Sequence, residues 1–371
     1  NSLPRPCLVV NPILQPEDRA AIDRLGVPRK TILSSYYAIE EKLGFLDEAT
    51  RARVLDVIEK ELGYQTEKTI TKIKFVTYRK NGRIIDDSLI FPAMIEGVER
   101  QAKELGYETA FSHLNYEDDA FQERLKEVLE DTNSLMILLG TEMMEEDYQP
   151  FMDYKGYMIV LDGWCEEMAF DGVLINNTDA ACNAVEYLVK NGHKSIGYLR
   201  GDYRIKAFQY REYGYYRTLG RHGLSEAPEY VVTLGTTLEA AYEDMKAYLE
   251  GKPALPTAYF ADNDVIALGA MRALEEKGIK IPDQISIVGF DDIRFGAVST
   301  PGLTTIHVHK QEMGEVAVRR ALDHIRYSGR QVKMKIQVGT DFLVRGSVRN
   351  LDIEEAKRQE RMEEVKWQLS N

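Results

Sequence analysis

From Ile73 onward, short β-branched runs alternate with stretches of helical periodicity, and this alternation constrains the fold more than any other feature of the chain. Strands are predicted at 73–78, 135–139, 158–161, 173–175, 195–199, 257–260 and 285–290. Apolar residues recur at helical spacing over 90–105, 179–189 and 264–277. Strands that alternate with helices in this way predict parallel sheets with helices on both faces.

The number of these units exceeds what one sheet usually holds, and the pattern restarts near residue 173. We therefore expect an α/β fold with two doubly wound parallel-sheet subdomains in tandem and a cleft between them. Ligands of such sheets bind outside the carboxyl ends of the strands. The loops expected to line the cleft follow Tyr78, Leu139, Leu161, Leu199, Phe260 and Phe290.

Composition narrows the class of protein. A net charge of −13 repels a phosphate backbone, so any contact with nucleic acid must come from a local patch. The three cysteines (Cys7, Cys165 and Cys182) show no metal-binding spacing, which predicts free thiols in a reducing compartment. No run of apolar residues is long enough for a transmembrane helix, and the first residues do not resemble a secretory signal. We expect a cytoplasmic protein that does not bind membranes.

Both ends of the chain differ from this pattern. The residues before about 70 predict short helices without strands, at 17–25, 29–37 and 47–62. The last segment, 351–371, is highly charged and contains neither Gly nor Pro, which indicates a solvent-exposed helix or a frayed tail.

Five strings of residues resemble one family in order and in content. They are Gly192–Ile196, Ala261–Leu274, Ile281–Asp292, Pro301–Ile306 and Phe342–Ser347, and the similarity they mark covers nearly all of 72–349. The sequence resembles the LacI/GalR transcription regulators, whose effector domain is similar to periplasmic binding proteins. This resemblance implies two subdomains joined by three crossing strands, and a homodimer.

The resemblance also implies a division of the chain. A divergent helix-turn-helix headpiece occupies 1–66, a short linker 67–72, the ligand-binding domain 73–349 and a charged tail 350–371. Within the ligand-binding domain, the first subdomain is expected to comprise 73–174 and 306–330, and the second 175–305 and 331–349.

The family's ligand site implies three residues here. The Asp291 carboxylate can accept hydrogen bonds from two hydroxyls of a sugar-like ligand, and Arg211 resembles the family arginine that reaches the ligand. Asn263 can contact the ligand, cap a helix, or do both. The alternatives are that Asp291 only caps a turn and that Arg211 forms a surface ion pair.

Three further candidates follow from position: Asp162 after the third strand of the first subdomain, with Phe91 and Trp164 as apolar faces. For these three, a purely structural role is an equal or stronger alternative. The family commonly has aspartate where Asn176 or Asn177 stands, which indicates a site with altered charge or hydrogen bonding and a ligand other than a typical neutral hexose.

The headpiece resembles the family's helix-turn-helix, and the resemblance places its base-reading residues at Arg29, Lys30, Thr31 and Ser34. Three features weaken that expectation. The family usually has arginine where Ser34 stands. Residues 1–66 carry nine Lys/Arg against ten Asp/Glu, a net charge of −1, whereas DNA-binding headpieces are basic. Only Gln65–Lys72 separates Tyr64 from Ile73, without the leucine that wedges into the minor groove in the family.

Three functions compete. The first is a ligand-responsive DNA-binding regulator, a repressor in family terms, that senses a sugar or sugar-like molecule and binds a DNA operator. The alternative is a small-molecule sensor that has lost specific DNA binding. An enzyme is not expected, because the sequence has no phosphate-binding glycine loop, no nucleophile elbow and no metal spacing, and no cofactor is expected. The adjacent carboxylates Asp291 and Asp292 are expected to point in different directions.

Overall fold

The computed structural model describes residues 70, 72–85, 90–166, 170–326 and 332–352. The predicted headpiece, with its four DNA-binding candidates, lies outside the described residues, as do nearly all of the linker and of the tail. Nearly everything described belongs to one compact unit, which comprises Lys72–Ala321 and Val332–Asn371.

Within the described residues, the strands follow one another as β1 (Lys72–Arg79), β2 (Glu108–Asn115), β3 (Ser134–Leu139), β4 (Met158–Leu161), β5 (Asp171–Ile175), β6 (Ile196–Gly201), β7 (Val231–Leu234), β8 (Ala258–Ala261), β9 (Ser286–Val288), β10 (Thr305–Val308), β11 (Lys335–Val338) and β12 (Thr340–Leu343). The helices are α1 (Ile90–Glu104), α2 (Phe121–Glu130), α3 (Asn177–Lys190), α4 (Lys206–Arg221), α5 (Leu238–Glu250), α6 (Asp264–Glu276), α7 (Arg294–Val298) and α8 (Lys310–Arg326). Short 3-10 helices occur at Glu145–Phe151 and Pro228–Tyr230.

Two parallel sheets form the framework. The first has six strands in the order β11-β5-β4-β3-β1-β2, and the second has four in the order β7-β6-β8-β9. All neighbouring strands in both sheets run parallel. The predicted α/β architecture with two doubly wound subdomains is confirmed.

Burial on both faces explains why most of these strands could be predicted from the sequence. Every residue of β3 and β4 is buried, which is the continuous apolar pattern of a strand covered on both faces. The strands β2 and β7 were not predicted. The pattern of β2, an edge strand, alternates between exposed and half-buried residues, so its composition is mixed.

The return of the chain between the subdomains differs from the expected boundaries. The strand β11 pairs with β5 of the first sheet, so the prediction that 331–349 lies in the second subdomain is wrong for Lys335–Val338. The strand β10 pairs antiparallel with β12. Isolated bridges from Thr304 to Val288 and from His307 to Asp291 also place this segment beside the end of β9. The pairing of neighbouring strands, which local sequence does not encode, decides these memberships.

The helix α8 brings the chain back onto the first subdomain, where it crosses α1 closely. A Cβ added at Gly97 would collide with the Gln311 carbonyl, and one at Gly314 would collide with the Met94 carbonyl. Gln311 Nε2 also donates to Glu96 at 2.9 Å. The first turns of α8 are therefore fixed to the first subdomain.

Candidate functional site

Side chains from the carboxyl ends of the two sheets meet across a cleft. Arg83, after β1, forms an ion pair with Asp202, after β6. The Tyr203 hydroxyl donates to the backbone carbonyl of Glu142 at 3.1 Å. Lys206, the first residue of α4, pairs with Glu145 of the first subdomain at 2.8 Å. These contacts hold the two subdomains together at the cleft, as expected for a closed ligand-binding domain.

The loop after β1 is fixed by a carboxylate. Glu142 is fully buried. Its two carboxylate oxygens accept hydrogen bonds from the backbone N–H groups of Lys80, Asn81, Gly82, Ile84 and Ile85. This loop therefore presents a fixed first-subdomain wall to the cleft.

A pocket of about 280 Å³ lies within the cleft. The residues whose polar or aromatic groups line it include Thr141, Asp162, Trp164, Asn177, Lys206 and Tyr210. They come from the ends of β3 and β4 in the first subdomain and from the first turns of α3 and α4. The strand-end rule thus predicted the location of the pocket correctly for β3 and β4.

Asp162 provides the acceptor in this pocket. Thr141 Oγ1 donates to its Oδ2 at 2.7 Å, which leaves most of the acceptor capacity of the carboxylate for a ligand. Burial raises the pKa of Asp162 to about 6. The following glycine is required by packing, because a Cβ at Gly163 would lie 2.5 Å from Tyr148 Oη and 2.9 Å from the Gly140 Cα.

Trp164 provides an aromatic surface beside Asp162. Its ring contacts Tyr210 edge to face, with 6.1 Å between ring centroids, and Lys335 Nζ lies 3.5 Å from the ring centroid. The indole Nε1 is buried, and it has no hydrogen-bond partner among the described residues. An unpartnered buried donor that lines a pocket suits a ligand that carries an acceptor.

Arg211 and Asp291 lie deeper, as a buried ion pair with Nη2 and Oδ1 3.2 Å apart. Arg211 also donates from Nε to Asn177 Oδ1 at 2.8 Å and from Nη1 to the Asp262 carbonyl at 2.6 Å. Its guanidinium lies 3.6 Å from the centroid of the Phe290 ring. Neither Arg211 nor Asp291 lines the pocket, although both charges influence the pKa of Asp162.

The remaining two candidates lie outside the pocket lining. Asn263 is the N-cap of α6, where its Oδ1 accepts from the Ile266 N–H at 3.0 Å, so its capping role is confirmed. Phe91 is buried at the start of α1. The structure therefore brings Asp162 and Trp164 together in the pocket, places Arg211 and Asp291 behind it, and leaves Phe91 apart.

Backbone conformation singles out the aspartates of the site. Among the described residues, four other than glycine have a positive φ: Asp162, Lys252, Asp291 and Asp292. Three of the four are thus aspartates at the strand ends that face the cleft. A left-handed conformation in a residue with a side chain is strained, and such residues cluster at functional sites.

Sequence reasoning missed several residues that line the pocket. Thr141 follows β3 by two residues, so the strand-end rule could have identified it. Asn177, considered only as a departure from the family, lines the pocket and holds Arg211. Lys206 and Tyr210 lie on one face of α4, next to Arg211, and no local signal in the sequence distinguishes them from surface residues.

Metal binding and membrane insertion are the two alternatives on which the described residues bear. In the described ranges, no group of three or more His, Cys, Asp or Glu side chains is placed to hold a metal ion. In the same ranges, no helix has the length and apolar character needed to cross a membrane.

Comparison with known proteins adds independent information. Residues 185–348 match the model of a periplasmic binding protein-like domain. The chain is 30% identical over 312 residues to the transcriptional repressor CytR of Escherichia coli K12, a match that covers 82% of this chain and 89% of that protein. It is 28% identical over 314 residues to the repressor PurR of Actinobacillus pleuropneumoniae serotype 3, covering 84% of this chain and 93% of PurR.

Among solved structures, a complex of the transcriptional regulator CelR with cellobiose superposes with a TM-score of 0.67 at 22% identity. That match covers 88% of this chain and 98% of CelR, and it supports the fold. The similarity to CytR extends over most of both proteins. From this similarity and the ordered motifs of its sequence, the chain belongs to the LacI/GalR family of transcription regulators.

Proposed function

We propose that this chain is a transcription regulator whose cleft binds a neutral, sugar-like small molecule and whose affinity for an operator depends on that ligand. The pocket at Asp162 and Trp164 is the observation that carries this proposal. A carboxylate accepts hydrogen bonds from hydroxyls, while an indole ring covers the apolar face of a sugar. An aromatic surface beside fixed polar groups is typical of small-molecule sites.

The size of the pocket favours a small ligand. Its volume of about 280 Å³ lies just below the range of about 300–1,000 Å³ that is usual for small-molecule sites. This volume suits a molecule of monosaccharide size.

The charges around the pocket favour a neutral ligand. Lys206 is paired with Glu145 at 2.8 Å and with Glu166 at 3.5 Å, so two carboxylates face its one ammonium group. Asp162 adds a third carboxylate to the same side of the cleft. Lys335 Nζ, 3.5 Å from the Trp164 ring centroid, is a second ammonium group, but the three carboxylates still outnumber the two cations. This balance disfavours a phosphate or carboxylate on the ligand, whereas hydroxyl groups would find acceptors.

The neutral amide at Asn177 is consistent with this view. Arg211 donates a hydrogen bond to the uncharged amide oxygen of Asn177, and its charge is neutralised by Asp291. The pair therefore needs no charge from the ligand. The ligand proposed here is a neutral polyol, although the departure at Asn177 predicted a ligand other than a typical hexose.

For the regulatory output, we propose a cytoplasmic homodimer that contacts DNA through Arg29, Lys30, Thr31 and Ser34. The family relationship supports this role, since the relatives CytR and PurR are named transcriptional repressors. Ligand that closes the cleft would change the headpiece spacing in the dimer. Catalytic activity is not part of the proposal.

A second candidate is a sensor that does not bind DNA specifically. The observation in its favour is the balance of nine Lys/Arg against ten Asp/Glu in residues 1–66. A basic surface normally supplies most of the affinity for DNA.

Ligand binding is tested by a thermal-shift screen of the full chain against neutral sugars, sugar acids and sugar phosphates, followed by titration calorimetry. A neutral sugar far above its Kd should stabilise the chain by a few kcal/mol, about 2.7 kcal/mol at a hundred times Kd. The variant Asp162→Asn should bind it more weakly, whereas Asp118→Asn, which alters an exposed carboxylate, should bind as the wild type does. Selective binding of sugar phosphates would refute the neutral-ligand proposal.

DNA binding is tested by gel shift, with fragments from the neighbourhood of the chain's own gene and with the sugar identified above. A specific shift whose affinity changes with the sugar supports the regulator. Sugar binding without any specific shift at low salt would support the second candidate instead.

A further inference from the structure

The two aspartates that follow β9 have an unusual backbone. Asp291 has a φ of 107° and Asp292 a φ of 53°, so two consecutive side-chain-bearing residues lie in the left-handed region. Such a conformation persists only where surrounding contacts fix it. Asp291 N–H donates to the Ile306 carbonyl at 2.9 Å, which attaches this turn to β10.

The two side chains point in different directions, as the sequence predicted. The Asp291 carboxylate pairs with Arg211, behind the pocket. The Asp292 carboxylate is held by Arg345 Nη2 at 2.5 Å and by His307 Nδ1 at 2.8 Å. His307 lies in β10 and Arg345 follows β12, so both partners belong to segments that link the two subdomains.

The turn also has a direct link to the first subdomain. Lys310 Nζ donates to the backbone carbonyl of Asp291, and it lies 3.3 Å from that of Asp292. Lys310 is the first residue of α8, whose first turns are fixed against α1. A rotation of the first subdomain that moves Lys310 must therefore move the Asp291–Asp292 turn or break its contacts.

The charges at the turn favour this arrangement. Burial alone would raise the pKa of Asp292, but the hydrogen bonds from Arg345 and His307 outweigh burial and hold that pKa below its usual value. The carboxylate is therefore charged near neutral pH, and its bond to Arg345 is charge-assisted. His307 also lies opposite Asp341 in the β10–β12 pair, and its ring is 5.0 Å from that of His309.

We propose that Asp292 is a positioning residue that couples the Asp291–Arg211 pair behind the pocket to the segments linking the subdomains, so that closure of the cleft depends on it. Asp292 does not line the pocket and acts through its neighbour. The ligand-dependent part of this inference rests on the proposed function, whereas the effect on closure does not.

Cleft closure can be followed without a ligand. The chain has two tryptophans, Trp164 and Trp367, so Trp367→Phe leaves the pocket tryptophan as the single reporter. Acrylamide is the probe, because opening of the cleft exposes Trp164 and raises its quenching constant. Asp292→Asn keeps a residue that tolerates the left-handed backbone and removes the charge that binds Arg345.

In the full chain at pH 7.5, Asp292→Asn should raise the ratio of open to closed molecules about tenfold, the effect expected from loss of one charge-assisted hydrogen bond. Arg345→Gln should raise quenching as well, because it removes the same contact with Asp292. The double variant should exceed Asp292→Asn by little, since the change at Arg345 then adds only the loss of its 2.9 Å bond to the Leu303 carbonyl. Asp341→Asn is the matched control. It removes the 3.3 Å partner of His309 from the same strand pair, does not touch the Asp292 carboxylate, and should leave quenching unchanged.

Quenching of Asp292→Asn equal to that of the wild type would overturn the inference, and so would an equal rise in Asp341→Asn or full additivity in the double variant. If Asp292→Asn does not unfold cooperatively, the result with Arg345→Gln decides. Titration with D-ribose and D-glucose forms the second arm, in which a sugar that binds should protect Trp164 in the wild type more than in Asp292→Asn. If no sugar of the screen binds the wild type, the proposed function fails, while the acrylamide comparison still decides the role of Asp292.

Discussion

Asp162→Asn should stabilise the free protein while it weakens ligand binding. The side chain is half-buried, and desolvation raises the pKa of its carboxyl to about 6 in the folded chain, against an ordinary value of 3.8. A raised pKa means that folding opposes ionisation, at about 1.4 kcal/mol per pKa unit, or roughly 3 kcal/mol for this shift. Because the side chain of Asp162 keeps some exposure, we expect about 1–2 kcal/mol.

The dependence on pH gives this prediction its signature. Below pH 3.8, the ordinary pKa that applies to the unfolded chain, Asp162 is protonated in both the folded and the unfolded chain. In that range its neutral carboxyl contributes fully to the free energy of unfolding. That stability is lost as the pH rises through the folded pKa of about 6. The advantage of Asn should therefore be complete above about pH 6 and should vanish below about pH 4.

Asparagine is the appropriate replacement for structural reasons. It tolerates the left-handed backbone of Asp162, which has a φ of 52°, and its Oδ1 can still accept from Thr141. Urea unfolding at pH 4, 5.5 and 7.5 measures the effect. The melting temperature at pH 7.5 should rise by about 2–4 °C per kcal/mol.

The exposed Asp118, paired with Arg124 at 3.0 Å, supplies the control. Asp118→Asn should change the free energy of unfolding by less than about 1 kcal/mol. Destabilisation of Asp162→Asn at pH 7.5, or a gain of the same size at every pH, would refute the reasoning. The loss of a charged acceptor should weaken sugar binding about tenfold or more, so stability and affinity should change in opposite directions.

Three further substitutions test other parts of the structure. Asn263→Ala should cost about 1–2 kcal/mol in urea unfolding, because the Ile266 N–H at the start of α6 loses its acceptor, and an unchanged midpoint would contradict the cap. Arg211→Met should lower the free energy of unfolding by about 3–5 kcal/mol, because Asp291 is left charged and unpaired. Adding Asp291→Asn should recover part of that loss. A double variant no more stable than Arg211→Met would contradict this account. Asp202→Asn should change stability by less than about 1 kcal/mol, because its pair with Arg83 is well exposed, and a larger loss in calorimetry would show a stronger contact across the cleft.

The fold could be predicted to a large extent because its strands are buried on both faces. Continuous apolar runs such as β3 and β4, separated by stretches of helical periodicity, can be recognised from the local sequence alone. The strand-end rule also directed attention to Asp162 and Trp164, since a residue just after a buried parallel strand must lie at the edge of the sheet.

The roles within the site could not be predicted in the same way. Whether Arg211 contacts solvent or Asp291 depends on the packing of α4 against the end of β9, 80 residues further along the chain. Lys206 became part of the pocket because two carboxylates of the other subdomain face it. No local pattern encodes such pairings.

The sequence by itself therefore determined the alternation of strands and helices, the existence of two parallel sheets and the sheet edge at which the pocket lies, because these depend on periodicity and burial. Only the tertiary structure decided that β11 joins the first sheet and that Asp291 and Asp292 divide their contacts between the ligand site and the linking segments. Both outcomes depend on which distant segments pack together, and this packing is determined by the free energy of the whole folded domain.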